Sequence, residues 1–258
     1  MGRPHQGPFM TATSSNPGTA LSVDRHASVR FFFAAHLVLL GVVLIGFGPT
    51  FYLRTLLGHH RPLPTILIVH GTILTGWFML TVVQAWLMQT GRILWHRRTG
   101  YFAAAYAGLV VTLGAIADVR MAGEIHSARD FDLLVVWGNF FSLILFSAFV
   151  ASAILFRKSP ETHKRLILLA SISIIGPAAA RFTEWPIFPG GVEARPLYGV
   201  GGLLLLYVSL IAYDVIVRRR PHPASLIGLM AMMVSSAIAV FLMVSGNAFV
   251  LLHLGEHA

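Results

Sequence analysis

The chain has 258 residues, 56% of them hydrophobic and only 11% charged, whereas a soluble domain carries about 25% charged residues, so the composition indicates an integral protein of the lipid bilayer. The formal net charge of +9 does not indicate nucleic-acid binding, because the arginines lie in short segments between apolar stretches, where membrane topology accounts for them. The sequence contains no cysteine, which excludes disulfides, iron–sulfur clusters, thiolate catalysis and covalently attached haem of the c type.

Residues 1–29 are rich in Gly, Pro, Ser and Thr and lack an apolar period, which predicts a disordered cytoplasmic tail. Apolar windows of about 20 residues then recur along 30–258, and each is long enough to span a bilayer as a helix. Open sheets and irregular loops cannot face lipid, so we expect an all-α fold in which a single domain forms a bundle of seven transmembrane helices. Their expected bounds are about 31–53, 65–91, 101–123, 133–156, 166–185, 197–217 and 225–252.

Basic residues are unequally distributed between the alternate segments that connect these helices. The segments on one side, which include the N-terminal tail, hold 13 of the 19 lysines and arginines, and those on the other side hold 6. Basic segments remain in the cytoplasm. We therefore expect the N-terminus inside and the C-terminus outside, as an odd number of helices requires.

The second predicted helix carries a polar stripe. His70, Trp77 and Gln84 are spaced seven residues apart, which is almost two helical turns, so their side chains share one face. Polar groups on an apolar helix face other helices rather than lipid. The stripe therefore predicts a buried, functional or structural face of this helix.

Polar residues of the predicted helices fall into two layers separated by an apolar middle. Ionisable groups inside a bilayer are costly and usually face partners or water. Two alternatives stay open beside a functional role: Arg181 could pair with Glu184, three residues further along the same helix, and Asp118 could be a helix-end acid close to Arg120. The candidate site residues are, in the outer layer, His70, Asp118, Asn139 and Arg181, and in the inner layer, Gln84, His96 and His163.

Three roles are open for His70: it could ligate the iron of a haem b, relay protons, or hydrogen-bond across helices. If His70 ligates haem, Arg181 would pair with a haem propionate or another anion. Independently of any ligand, Gly176-Pro177 should kink the helix that carries Arg181. A haem with two axial histidines needs a second histidine at matching depth, and the sequence shows no spaced intramembrane pair. The outer candidates lie at loops or helix ends: His59, His60, His126 and His253.

Three basic connections each contain one histidine, which indicates a weak internal repeat. They read HRR, HKR and RRRPH and contain His96, His163 and His222. Two interpretations stay open. Three hairpins could repeat along the chain, as parallel repeats do in transporters, or the topology rule alone could place the arginines there.

These motifs resemble a pattern in a broad family of uncharacterised bacterial multi-pass membrane proteins, over roughly residues 65–185. The resemblance implies a bacterial cytoplasmic (inner) membrane and similar helices, and it implies no reaction. It is carried by His70, Gln84, the box His96-Arg97-Arg98 with Gly100, His163-Lys164-Arg165 and Arg181.

The most specific function that the sequence favours is a membrane-embedded redox or haem-binding protein. Its cofactor would be haem b, and the candidate cofactor-binding residues are His70, Arg181, Gln84 and Trp77. The alternatives are a transporter or channel for a small solute or ion, and a non-catalytic subunit of a larger membrane complex. Partners would then be lipid, a second copy of the chain, or other subunits. The sequence assigns no catalytic residue.

Overall fold

A computed structural model of the protein describes residues 17–58, 62–123 and 132–245, with the side chains of residues 27–58, 62–123 and 133–245. Every regular element in these ranges is helical, which confirms the all-α prediction. Short turns follow some helices: a π-helical turn at Gly48–Tyr52 and 3₁₀ turns at Arg181–Glu184 and Gly191–Ala194. The α-helices are α1 Pro17–Gly46, α2 Thr65–Gln89, α3 Ile93–Ala122, α4 Asp132–Leu155, α5 Pro160–Ser173, α6 Gly176–Ala180, α7 Arg195–Arg218 and α8 Pro223–Val244.

Six of the described helices are long and apolar enough to cross a membrane. They are α1 from Ala27 onwards, α2, α3, α4, α7 with the turn that begins at Gly191, and α8. The pair formed by α5 and the segment Gly176–Glu184 passes the same test only when joined, and it is bent by 45° at its break. The chain is therefore a multi-pass membrane protein with six such helices, or seven if the bent pair is one span.

The expected bounds hold to within two residues for α2, α4 and α7. Two helices begin earlier than expected, α1 at Pro17 rather than 31 and α3 at Ile93 rather than 101. An apolar window marks only the part of a helix that lies in hydrocarbon, whereas a helix satisfies its own backbone and can continue beyond it. Residues 17–29 of the expected disordered tail are therefore helical. The expected end of the last helix, at 252, lies outside the described residues.

Large apolar side chains fill the middle of the bundle around Trp77, which is 2% exposed. Its ring lies 5.0 Å from that of Phe146 on α4. The indole Nε1 donates to the hydroxyl of Ser171 on α5 at 3.2 Å, since a buried N–H needs an acceptor. The centre of the predicted polar stripe thus faces other helices and joins α2 to α5.

The two ends of the bundle are distinguished by their connections. We call inner the end that carries the α2–α3, α4–α5 and α7–α8 turns, which together with the helix ends beside them hold 10 of the 19 lysines and arginines. The outer end carries the π-helical turn after α1 and the two 3₁₀ turns before α7. The candidate residues lie toward these two ends.

Candidate functional site

The outer end is built from two interrupted helices. The α-helical ladder of α1 ends at Gly46 and gives way to a π-helical turn that contains Pro49. The ladder of α5 ends at Ser173, and α6 begins at Gly176 with Pro177 in its first turn. Proline lacks the N–H that would continue either ladder. Non-α-helical backbone at membrane depth occurs where protein covers it or where it lines a cavity, and discontinuous helices often mark binding sites.

Glycine allows these two interruptions to touch. A β-carbon at Gly46 would lie 2.0 Å from the backbone oxygen of Ala178, and one at Gly48 would lie 2.8 Å from the Trp185 ring. Both distances are shorter than van der Waals contact, so only glycine fits at this approach. The Nε1 of Trp185 donates to the Ile45 carbonyl at 2.8 Å and closes the contact.

Arg181 lies at this junction and is half-buried. Its Nη1 donates to the Pro177 carbonyl of its own helix at 2.9 Å, and the guanidinium carbon lies 4.7 Å from the centre of the Phe47 ring. The nearby Glu184 carboxylate is paired with Arg195. Glu184 is thus the ion-pair partner of Arg195, and within the described residues Arg181 makes no ion pair of its own.

His70 on α2 lies within electrostatic range of Arg181 and is half-buried. The Leu113 backbone of α3 lies within hydrogen-bonding reach of its imidazole. A backbone carbonyl only accepts, so a ring nitrogen that faces it donates and the other keeps its lone pair. A metal-ligating histidine is commonly oriented in this way. The proposed second axial ligands His59, His60, His126 and His253 all lie outside the described residues.

The other two outer candidates meet each other rather than Arg181. The Asp118 carboxylate of α3 is hydrogen-bonded to the Asn139 side chain of α4. This bond joins α3 to α4 near the outer end. Among the described residues, the structure therefore divides the outer layer into two groups, with His70 and Arg181 in one and Asp118 and Asn139 in the other.

The inner candidates gather at the α2–α3 and α4–α5 turns. The Gln84 amide nitrogen donates to the Thr99 hydroxyl at 2.7 Å, and His96 Nδ1 lies 3.3 Å from the Gln84 carbonyl. His163 Nδ1 lies 2.8 Å from the Ala153 carbonyl. The His96 and His163 ring centroids are 6.4 Å apart. Each histidine thus links its own helix to the helix before it, and the two turns come together.

Sequence reasoning did not predict the pairing of the most buried charges of the described chain, which lie at the inner end. Arg165 and Asp214 are both 0% exposed and form an ion pair between α5 and α7. Asp214 also accepts from the Ser225 hydroxyl at 2.6 Å and from the His222 backbone N–H at 3.1 Å. Both carboxylate oxygens are thus occupied, which ties α8 to the pair and assigns it a structural role.

Further contacts extend this inner ion-pair cluster. Glu161 accepts from Arg165 at 2.7 Å and from Lys164 at 2.5 Å, and Lys164 also donates to the Ser28 hydroxyl of α1. His222 caps α8, since its Nδ1 accepts from the Ala224 N–H at 3.1 Å. Burial, and then the Arg165 guanidinium, lower the pKa of His222 below its usual range, which keeps the capping ring neutral.

Comparison of the chain with protein-family models, with curated proteins and with solved structures finds no match. The functional argument therefore rests on the geometry of the chain itself. It favours the outer site, because the cations of the inner ion-pair cluster already hold their counter-ions, whereas Arg181 does not.

Proposed function

We propose that the protein binds a hydrophobic ligand with an acidic group at the outer site formed by Arg181 and His70. The observation that carries this proposal is the half-buried guanidinium of Arg181, which has a carbonyl and an aromatic ring as neighbours but no ion pair within the described residues. A cation at membrane depth is costly unless an anion or water accompanies it. A ligand carboxylate would supply that anion.

The surroundings of Arg181 suit a carboxylate that accepts two hydrogen bonds from the guanidinium group. The Phe47 ring and the Pro177 carbonyl hold the guanidinium in place, so little side-chain entropy remains to be lost on binding. Glu184 would compete for Arg181, but its carboxylate is held by Arg195. The site therefore keeps one positive charge in excess.

Haem b is the ligand of this class that would also use His70. If haem were bound, Arg181 would hold a propionate and an imidazole nitrogen of His70 would ligate the iron. The described residues supply one imidazole at this depth, so this donor set fits an iron with one protein ligand there. Bound haem would supply one-electron redox chemistry, and the chain would hold and orient it.

The alternative of a transporter or channel needs a polar path between the two ends. Within the described residues, the middle of the bundle is filled by Trp77, Phe146 and their apolar neighbours. Two buried polar atoms there lack hydrogen bonds, His36 Nδ1 and the Tyr207 hydroxyl, and two isolated atoms do not form a path. The geometry therefore favours binding over conduction.

The membrane arrangement is part of the proposal. The basic residues favour seven spans with the N-terminus inside and the C-terminus outside, and the family resemblance favours a bacterial inner membrane. Reporter fusions provide the test. A periplasm-dependent reporter after Ala258 and a cytoplasm-dependent one in the His163 turn should both be active, and silence of either would contradict the arrangement.

Two probes separate the roles of the site residues: haemin, and iron-free protoporphyrin IX, which carries the same propionates. Titrated into protein in detergent, both should bind with Arg181-dependent affinity, and Arg181→Gln should weaken both by at least about tenfold. His70→Ala should weaken haemin only and change its Soret band. Glu184→Gln is the matched control and should not weaken either probe, because it removes a competing carboxylate.

The outcomes test separately the acid-binding role of Arg181 and the iron-binding role of His70. Haemin and protoporphyrin that bind equally to wild type and to Arg181→Gln would overturn the acid site. Haemin binding that His70→Ala leaves unchanged would remove the iron-ligand role. If the protein binds neither probe, tetrapyrroles are excluded as its ligands.

A further inference from the structure

His96 and His163 present the same chemistry at the inner end. In each ring Nδ1 lies against a backbone carbonyl, that of Gln84 and that of Ala153 respectively. A carbonyl oxygen cannot donate, so Nδ1 carries the proton in both rings and Nε2 keeps its lone pair. A backbone carbonyl on one imidazole nitrogen is the usual support of a histidine whose other nitrogen binds a metal.

The separation of the rings suits a shared ion. A metal–nitrogen bond of about 2.1 Å places the imidazole centroid about 3.2 Å from the ion, so two rings on one ion have centroids about 5 to 6.5 Å apart, depending on the bond angle. The observed separation is 6.4 Å, with the ring planes at 88°. An ion between the two rings therefore requires a shift of about 1 Å at most.

A third donor lies beside them. The side-chain oxygen of Gln84 is buried and has no hydrogen-bond partner, although its amide nitrogen bonds Thr99 and its backbone oxygen faces His96. A buried amide oxygen without a partner costs free energy, and an oxygen ligand role would offset that cost. In the described parts of the chain, no cluster of three or more histidine and carboxylate side chains has metal-site spacing, so water would complete the coordination.

Neighbouring cations do not occupy this place. Lys164 is held by Glu161 and Ser28, and Arg165 is held by Asp214. Arg97 and Arg98 directly follow His96 in α3, and both are exposed at the surface of the bundle. Within the described residues, these cations therefore do not compete with a metal ion for the Nε2 lone pairs of His96 and His163.

We propose that His96 and His163, with Gln84, form a site for a divalent transition-metal ion at the inner end. Imidazole nitrogens select ions of borderline softness, such as zinc and copper, over magnesium and calcium. The two histidines come from equivalent positions in two basic turns, so the ion would cross-link the α2–α3 hairpin to the α4–α5 hairpin. This site is separate from the outer ligand site and does not depend on it.

The test uses tag-free, chelator-treated protein in detergent, titrated with Zn²⁺ in a calorimeter. His96→Asn and His163→Asn each keep an N–H donor near the position of Nδ1 while removing Nε2. His222→Asn is the matched control, since it removes a histidine from the same end while asparagine still caps the helix. We expect each of the first two variants to bind Zn²⁺ at least about tenfold more weakly than wild type, and the control to bind it as wild type does.

A second measurement needs no variant. Pulsed EPR of wild type loaded with one equivalent of Cu²⁺ should show two coordinated imidazoles. Fewer than two imidazoles would overturn the proposal. So would a wild type that binds no Zn²⁺, an affinity that survives both His96→Asn and His163→Asn, or an equal loss in His222→Asn.

Discussion

Asp214→Asn should destabilise the protein by about 3 kcal/mol, at the lower end of the 3–5 kcal/mol that breaking a buried ion pair costs. The variant leaves the fully buried Arg165 guanidinium without its main counter-ion. Glu161 still contacts Arg165 at 2.7 Å, but its side chain is 51% exposed, so it compensates only in part. The unfolding equilibrium should shift by more than about 100-fold.

The assay is the free energy of unfolding in mixed detergent and SDS micelles, followed by circular dichroism. Glu161→Gln is the control and should cost less than about 1 kcal/mol, because the Glu161 side chain is 51% exposed and water screens its interactions. The double variant Arg165→Met/Asp214→Leu removes both charges and should recover part of the loss. A loss below about 1 kcal/mol in Asp214→Asn, or an equal loss in Glu161→Gln, would refute the assignment of this pair as the main clamp.

Two further predictions concern pH and close packing. Because burial lowers the pKa of His222, the unfolded chain takes up its proton at higher pH, so stability is complete above about pH 6.5 and declines below it. Unfolding free energies from about pH 8 to pH 5 should show this decline, and His222→Asn should make it shallower. Gly46→Ala would place a β-carbon 2.0 Å from the Ala178 oxygen and should cost about 1–3 kcal/mol. Gly41→Ala, with nothing within 4 Å, should leave the melting temperature unchanged or slightly higher.

The membrane class and most helix positions followed from the sequence because hydrocarbon imposes one requirement, about 20 consecutive apolar residues in a helix. The bounds of α2 and α4 were predictable for that reason. The early starts of α1 and α3 were not, because polar turns beyond the hydrocarbon leave no apolar pattern. The Gly176-Pro177 pair predicted a kink, whereas the similar pair Gly48-Pro49 falls within the first expected helix, 31–53, without any predicted break.

The ion pair of Arg165 shows what sequence patterns leave out. Counted with its neighbours, Arg165 supported the orientation of the bundle as a basic residue of a connecting turn. In the structure it is fully buried, and its partner Asp214 lies 49 residues along the chain. Such a pairing depends on which helices become neighbours, and hydrophobic spacing in one segment carries no information on that.

The sequence predicted that the polar residues of α2 share one side of the helix, but not that they contact different neighbouring helices. His70 and Gln84 bond to α3, whereas Trp77 bonds to α5. A spacing of seven residues drifts by about 20° per repeat on a straight helix, and the neighbours of α2 change with depth. The residues of the stripe therefore take part in two different helix contacts, with α3 and with α5, and they extend from one end of the bundle to the other.

The contrast between the two ends has a mechanical consequence. Buried charges join α5, α7 and α8 at the inner end, and Lys164 attaches α1 to them, whereas two helical ladders are interrupted at the outer end. Local opening follows the weakest ladders and contacts. Thermal motion should therefore separate the helices more at the outer end of the bundle than at the inner end, where the ion pairs hold them together. A lipid-soluble molecule would then enter laterally between the outer helix ends without breaking the ion pairs at the inner end.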